Sequence, residues 1–359
     1  MPELGQGRAA RGRPRPALGL ELSPLYEPLA GDRSPVAALL GSVVAVGHLW
    51  LSRSEPDVQP TTSQLRRLAR AALEQQGVPV GRLRWMGEHS NHLFRCDTAS
   101  GERLLLRVCL PDGRSDAELD SELAWLAALA RDTDLTVPVA RFSTRVATAD
   151  LPAGGRCIAF TWLQGRHCEQ RPSRRLVADL GRVLATLHAH ARRFRPPAGF
   201  TRPTLDIHYL TWTDSWHAAQ LTRRPIDPAT RRLLDEVAGR VQAALAQLGT
   251  DPAVHGLVHA DLHLGNVLDH HGQARPLDFD DAAWGHYALD LAIAVDSVPE
   301  PLHPVLLGGY RAVRPLPDGY QQHVAALLAG RRLFLATFLL AHGLPVVAHL
   351  DLLRAFIAS

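Results

Sequence analysis

The chain has 359 residues, 46% of them hydrophobic, enough material for about two domains with cores of their own. Charged residues make up 21% and the formal net charge is +3; the basic residues other than histidine are all arginine and are spread along the chain. That distribution offers no basic stripe for nucleic acid, and Cys96, Cys109, Cys157 and Cys168 show neither a C-x-x-C pair nor zinc-ligand spacing, as thiols in a reducing cytoplasm would.

Residues 1–34 are rich in Gly, Pro and Arg and lack an apolar period, so residues 1–60 read as a partly disordered extension. Within it, the apolar run Pro35 to Leu51 falls short of the ~20 residues a membrane helix wants. Its arginine-containing lead is too long for an ordinary signal peptide. A packed helix, a mis-assigned upstream start and a membrane anchor each account for this run; the expectation is a soluble, cytoplasmic protein.

At Thr61-Thr62-Ser63 the pattern sharpens, with N-cap residues followed by Leu65, Leu68, Ala69, Ala72 and Leu73 at helical spacing until Gly77. Three strand-like pieces come next: Arg82 to Met86, His92 to Cys96 and Arg103 to Leu110. The first separator, Gly87 to Asn91, is a turn of mostly small or polar residues whose N–H groups could face phosphates at Ser90 and Asn91. An ordinary hairpin connection explains it equally well. On the third piece, alternation sets Leu104, Leu106 and Val108 on one face and Leu105, Arg107 and Cys109 on the other. Leu119, Leu123, Leu126 and Leu129 then form a helical stripe on a segment that also carries Glu122.

Arg156 to Leu163 reads as a buried strand running into Gln164-Gly165, and Leu176 to Ala191 has helical periodicity. His188 and His190 sit two residues apart on that helix and face different directions, so core packing and solvent explain them better than a metal does. Between helices, Thr201 to Ala219 gathers His208, Tyr209, Trp212 and Trp216. These suit an aromatic cage for a cationic amine, although core packing is the plainer reading.

Residues 258–281, VHADLHLGNVLDHHGQARPLDFDD, carry the densest chemistry. Val267-Leu268 and Arg275-Pro276-Leu277 flank a polar turn with a glycine, the pattern of a hairpin. Paired antiparallel, the strand ends lie about 5 Å apart, which brings Asn266 and Asp278 within reach of one cation, with Asp261 on the preceding loop. Phosphoryl transfer from a nucleotide needs one carboxylate beside the acceptor hydroxyl, and a carboxamide oxygen and a second carboxylate for magnesium. Asp261, Asn266 and Asp278 supply these in order. The plain alternative, in which Asp and Asn merely form turns, covers Asp269 and Gly272 but not polar groups at both mouths of an apolar hairpin.

The segment resembles the catalytic and metal-binding core of the aminoglycoside phosphotransferase and choline kinase-like family. These are small-molecule relatives of the protein kinases, with homoserine kinase type II-like and stress-response kinase-like bacterial members. The resemblance spans about residues 61–359 and implies an α+β, bilobal protein-kinase-like fold: a small N-terminal antiparallel-sheet lobe over 61–163 and a larger, mostly helical lobe over 164–359. It implies Asp261 as catalytic base and Asn266 and Asp278 as magnesium ligands, with His259, His263, Asp280 and Asp290 supporting the catalytic loop. It also implies nucleotide contacts from Ser90 and Asn91, an Arg107–Glu122 pair where protein kinases use lysine and glutamate, and a hinge at Thr161, Trp162 and Leu163. The donor would be ATP or GTP with Mg2+, and the acceptor a hydroxyl-bearing molecule whose pocket the shared motifs do not mark. Gly309-Tyr310-Arg311 and Arg331-Arg332-Leu333 are similar to helices that line or support the acceptor cleft in bacterial members and receive no role. Two other readings stand beside this one: a zinc-dependent hydrolase using His259, Asp261, His263 and Asp278, and a catalytically silent nucleotide-binding module.

Overall fold

The structure, a computed structural model, describes residues 60–88, 91–111, 113–211 and 226–359. The extension before Pro60 with its apolar run, Ser90, Trp212 and Trp216 lie outside the described residues. Helix α1 (Thr62–Gln75) begins at a reciprocal cap, in which the Thr61 hydroxyl accepts from the Gln64 N–H and Gln64 Oε1 accepts from the Thr61 N–H at 2.8 Å. Its stripe of Leu65, Leu68, Ala69, Ala72 and Leu73 is buried on the sheet that follows.

That sheet contains β1 (Val80–Glu88), β2 (His92–Thr98), β3 (Arg103–Cys109), β4 (Ala140–Thr148) and β5 (Leu151–Thr161). It is antiparallel throughout, in the order β1-β2-β3-β5-β4. Helix α2 (Asp116–Asp132) enters between β3 and β4 and is capped by Ser115 with Glu118 in the same reciprocal way. Strand β4 has no counterpart in the sequence reading: as an edge strand it is half-exposed, with arginine and threonine where a buried strand would alternate apolar residues. The buried face of α2 also differs from the expected leucine stripe, because Glu122 and Trp125 are buried and Leu123 only partly so.

Helices dominate the rest of the chain. In order come β6 (Arg166–His167), α3 (Arg174–Ala191), α4 (Ile207–Thr211), α5 (Pro228–Leu248) and β7 (His255–Val258). After them come β8 (Val267–His270), β9 (Gln273–Pro276), β10 (Ala283–His286), α6 (Tyr287–Asp296), α7 (His303–Arg311), α8 (Tyr320–His342) and α9 (Val347–Ala358). An antiparallel sheet first and helices after it is the fold class the sequence implied.

The main core joins the two regions, with Trp125 and Leu126 of α2 and Phe160 of β5 packing among Leu180 and Leu184 of α3 and Leu291 of α6. Helices α3 and α7 approach so closely that a Cβ at Gly181 would overlap the Leu306 carbonyl and one at Gly309 the Ala178 carbonyl. Helix α8 is long and apolar enough to cross a membrane, at 23 residues with mean hydropathy 1.8 in its most apolar window. Its Leu333, Phe338 and Leu339 are instead buried against Val237 and Val241 of α5 and Leu350 and Leu353 of α9.

Candidate active site

Strand β7 pairs antiparallel with β10, and the chain then turns sharply at Ala260, whose φ of 68° is left-handed. An L-residue adopts that conformation at a cost of about 1–2 kcal/mol, so the turn needs support. The carboxylate of Asp290, buried in the first turn of α6, accepts from the Ala260 N–H at 2.8 Å and from the His259 N–H at 3.0 Å. Its other partner is His188 Nε2 at 3.1 Å, and His188 Nδ1 meets the Tyr310 hydroxyl at 2.8 Å. The loop that carries Asp261 is thus anchored through α6 and α3 to α7. His188 has polar partners as well as core packing, and His190 is buried rather than solvent-facing, accepting from Trp125 Nε1 at 3.3 Å. Burial would raise the Asp290 pKa, but the bond from His188 and its charge outweigh it and hold the carboxyl low.

His259 ties the loop to the far end of the β8–β9 hairpin. Its Nε2 donates to the Leu277 carbonyl at 2.8 Å and its Nδ1 accepts from the Asp261 N–H at 3.4 Å, an arrangement that requires the neutral ring. Burial lowers its pKa in the same sense. The ring packs on Phe279, centroid to centroid 4.6 Å, and Phe279 meets Trp125 edge-on at 5.5 Å.

Asp261 is 3% exposed and both its carboxylate oxygens are engaged. Oδ1 receives Arg331 of α8; Oδ2 receives Asn266 Nδ2 at 3.1 Å and faces His263 Nε2 at 3.6 Å. Burial alone would raise its pKa, yet Arg331 first and His263 next hold the carboxyl well below the usual carboxylate range. Asn266 Nδ2 also donates to the Asp261 carbonyl at 3.0 Å, which leaves the carboxamide oxygen as the group available to a cation. Strands β8 and β9 pair from Val267↔Pro276 to His270↔Gln273, with positive φ at both turn residues, His271 and Gly272. The Leu277 N–H donates to the Asn266 carbonyl at 2.8 Å, so Asp278 emerges beside Asn266. The hairpin geometry thus delivers the polar residues at its mouth to one place.

Asp278 itself has a left-handed φ of 59°. Its pKa is raised well above the ordinary carboxylate value, first by burial and then by the charge of Asp280 and their mutual hydrogen bond. Asp280 accepts from Asn91 Nδ2 at 3.1 Å. Its own pKa is lowered: burial opposes this, and Arg114 leads the groups that outweigh it. The next carboxyl, Asp281, is pushed up to about 7 by burial and then by Asp280, while its Oδ1 receives Arg114 Nη2 at 2.5 Å. Asp278, crowded by Asp280 and set beside the Asn266 carboxamide oxygen, is a donor set that an oxygen-seeking divalent cation would suit, because such an ion relieves the repulsion that raises the Asp278 pKa.

Toward the sheet, Arg107 and Glu122 form a bidentate pair, Nη1 to Oε1 at 3.0 Å and Nη2 to Oε2 at 2.6 Å, with side chains only 6% and 2% exposed. Both charges are therefore buried and paired rather than solvated. At the segment expected to be the hinge, the Thr161 N–H donates to the Val139 carbonyl at 2.8 Å, and its hydroxyl accepts from the Val139 N–H at 3.1 Å. The Trp162 ring lies beneath the guanidiniums of Arg95 and Arg103 at 5.3 and 5.6 Å, and Leu163 is half-buried. Tyr209, one of the aromatic residues before α5, stacks on Phe334 at 5.5 Å.

Sequence reasoning gave no role to four side chains. Besides Arg331, Arg114 and Asp281, Arg202 binds the carbonyls of Ala282 and Asp280 and reaches the Glu118 carbonyl at 3.2 Å, fastening the carboxylate loop to α2. A signal for Arg331 existed: an arginine pair inside a long apolar helix requires partners, because a buried charge without one is costly. The zinc-hydrolase reading is not favoured. Both His259 nitrogens are committed to backbone groups and His263 Nδ1 accepts from the Gly265 N–H at 3.0 Å. Among the described residues no cluster of three or more His, Cys, Asp or Glu side chains is placed to hold a metal by itself.

A model of the phosphotransferase enzyme family matches residues 82–323. An uncharacterized protein of Deinococcus radiodurans is 33% identical over 251 residues, which cover 66% of this chain and 70% of that protein. Among solved structures, a microcompartment-associated aminopropanol kinase is similar with a TM-score of 0.64 at 25% identity, over 80% of this chain and 94% of the other. Amicoumacin kinase hAmiN, solved with AMP-PNP, Ca2+ and Ami, is similar with a TM-score of 0.66 at 18% identity, over 82% and 94%.

Proposed function

The chain belongs to the phosphotransferase enzyme family and is a phosphotransferase acting on a hydroxyl group, and from that premise we propose that it moves the γ-phosphate of ATP or GTP to a small acceptor, with Asp261 as base. Mg2+ would be held by Asn266 and Asp278. The observation that carries the reading is the Asp261–Asn266 contact at 3.1 Å beside the backbone bond from Leu277 that sets Asp278 next to Asn266. The similar kinases, whose names specify an aminopropanol and amicoumacin, support a small-molecule acceptor, and the AMP-PNP and Ca2+ of the second support a nucleotide with a divalent cation.

In the reaction the acceptor oxygen attacks the γ-phosphorus, its proton passes to Asp261, and the bond to the bridging oxygen breaks to release the nucleoside diphosphate. Asn266 orients the base through Oδ2, and Asp290 holds the turn that aims it. Asn266 and Asp278 would hold a divalent cation, which would neutralise the phosphate charge. Arg107, fixed by Glu122, serves as the phosphate-facing cation of the sheet. In this reading residues 61–163 serve the nucleotide, residues 164–359 carry the base, the cation and the acceptor, and the protein works in the cytoplasm.

The test is an ATP-consumption screen across amino alcohols, aminoglycosides, sugars and hydroxy acids with two variants. Asp261→Asn is expected to lower kcat by about 10²–10⁴ while keeping nucleotide affinity, and Asp278→Ala to abolish the magnesium dependence of ATP binding. Wild-type turnover by Asp261→Asn removes the base from this assignment.

A further inference from the structure

Arg331 and Arg332 are neighbours on α8 but their side chains diverge. Arg332 reaches outward to Asp296 at 3.0 and 3.2 Å, whereas Arg331 turns inward onto Asp261 Oδ1. The Arg331 side chain is 17% exposed, and its guanidinium lies 5.7 Å from the Phe334 ring, which stacks in turn on Tyr209. Asp281 lines the same small cavity as Arg331 and Ala260, and the charges of both Asp261 and Arg331 act on it. One guanidinium on α8 thus stands between two carboxyls, the first on the loop after β7 and the second on the loop before β10.

A carboxylate has two oxygens and room for about four hydrogen bonds. In Asp261, Oδ2 accepts from Asn266 Nδ2 at 3.1 Å and Oδ1 accepts from Arg331. Each oxygen keeps a lone pair, so an acceptor hydroxyl can donate to the carboxylate while both holders stay in place. The holders differ in what they fix. Asp290 grips the backbone N–H groups of His259 and Ala260, which leaves the Asp261 side chain to turn about its own bonds. Asn266 belongs to the same loop and hairpin as the base and travels with it. Arg331 comes from outside that unit, on a helix buried against α5 and α9. A carboxylate held at one oxygen can swing about that contact; held at both, its plane and the direction of its free lone pairs are set.

We propose that Arg331 is a positioning residue for the base: it ties the Asp261 carboxylate to α8 throughout the transfer, so that a free lone pair meets the acceptor hydroxyl. The inference rests on the reading that Asp261 takes the acceptor proton. That proton passes from the acceptor oxygen to Asp261 as the new O–P bond forms, and Arg331 exchanges none, being cationic before and after. Arginine suits the task because its guanidinium is planar, directional and always charged, where lysine would keep the charge without the fork. Asp281 keeps the guanidinium from depending on the base alone for a counterion in a cavity whose other walls are mainly apolar.

The experiment measures ATP turnover with the acceptors of the screen above and, without them, with water in the acceptor's place, alongside calorimetric binding of AMP-PNP with Mg2+. Arg331→Gln is expected to lower kcat by about 10- to 100-fold, the scale of a misdirected catalytic group, with AMP-PNP affinity unchanged. Arg332→Gln, which breaks only the outward pair, should turn over as wild type does. Guanidinium chloride below denaturing concentrations should restore turnover to Arg331→Ala, and urea, of the same shape without the charge, should not. Wild-type turnover by Arg331→Gln overturns the proposal. So does AMP-PNP affinity that falls in step with kcat, an equal loss in Arg332→Gln, or recovery by urea as complete as by guanidinium. If Arg331→Gln and Arg331→Ala do not fold, Arg331→Lys decides: a lower kcat at unchanged AMP-PNP affinity supports the proposal, and a wild-type kcat overturns it. An ATP turnover that Asp261→Asn leaves unchanged removes the assigned base, a failure of the parent reading that the Arg331 variants alone would not produce.

Discussion

Asp290→Asn tests the support of the catalytic loop with the least change of shape. In the native chain one buried carboxylate accepts from the His259 and Ala260 N–H groups and meets His188 Nε2. A carboxamide keeps one oxygen for one of the two N–H groups and turns an NH2 toward the other. His188 can adapt by moving its proton to Nδ1, donating to the Tyr310 oxygen and accepting from the new amide. One backbone N–H is left stranded, at about 1–3 kcal/mol, and the two remaining bonds lose their charge assistance. The expected total is about 3 kcal/mol, a large share of the roughly 5–15 kcal/mol that separates folded from unfolded chains. Ala260, left-handed without that support, precedes the base, so kcat should fall with stability. Guanidinium unfolding and steady-state kinetics at pH 7 read both effects. The folded-state pKa of Asp290 is lowered, so its contribution is full above the unfolded value of about 3.9 and is lost as the pH falls through the folded one. The difference between variant and wild type should therefore shrink in acid. A loss below about 1 kcal/mol together with unchanged turnover would refute the claim that Asp290 holds this loop.

Gly181→Ala should destabilise the protein by about 2 kcal/mol, because overpacking against the Leu306 carbonyl outweighs the better helix propensity of alanine; a rise in the denaturation midpoint would contradict the close approach of α3 and α7. His349 is buried with neither ring nitrogen partnered, and burial, followed by Arg332 and Arg331, pushes its pKa down to about 4. The unfolded ring titrates near 6.5, so wild-type stability is full above that pH and declines by about 3 kcal/mol as the pH falls to about 4, a limb that His349→Leu should remove from the unfolding free energy measured between pH 4 and 7; an unaltered slope would show that another group titrates.

What was legible in the sequence was local. Asp261, Asn266 and Asp278 lie within one loop and one hairpin, so the alternation of apolar and turn residues was enough to anticipate their convergence, and β8 and β9 pair in that register. Arg107 and Glu122 were legible through their order along the chain, and Glu122 only once a partner excused a charge on the buried face of α2. Edge strand β4 was not legible, since a strand covered on one side carries little apolar pattern. Neither was Arg331, which stands 70 positions from Asp261. Physical chemistry does flag such a residue: two arginines in an apolar 23-residue helix each demand a counterion. It does not say which counterion, and the answers differ in kind. Arg332 finds the partly exposed Asp296, where an ion pair contributes little, whereas Arg331 finds the carboxylate proposed to take the acceptor proton. The same residue type at adjacent positions thus acquires a surface role in one case and control over the base in the other, because consecutive side chains on a helix point about 100° apart.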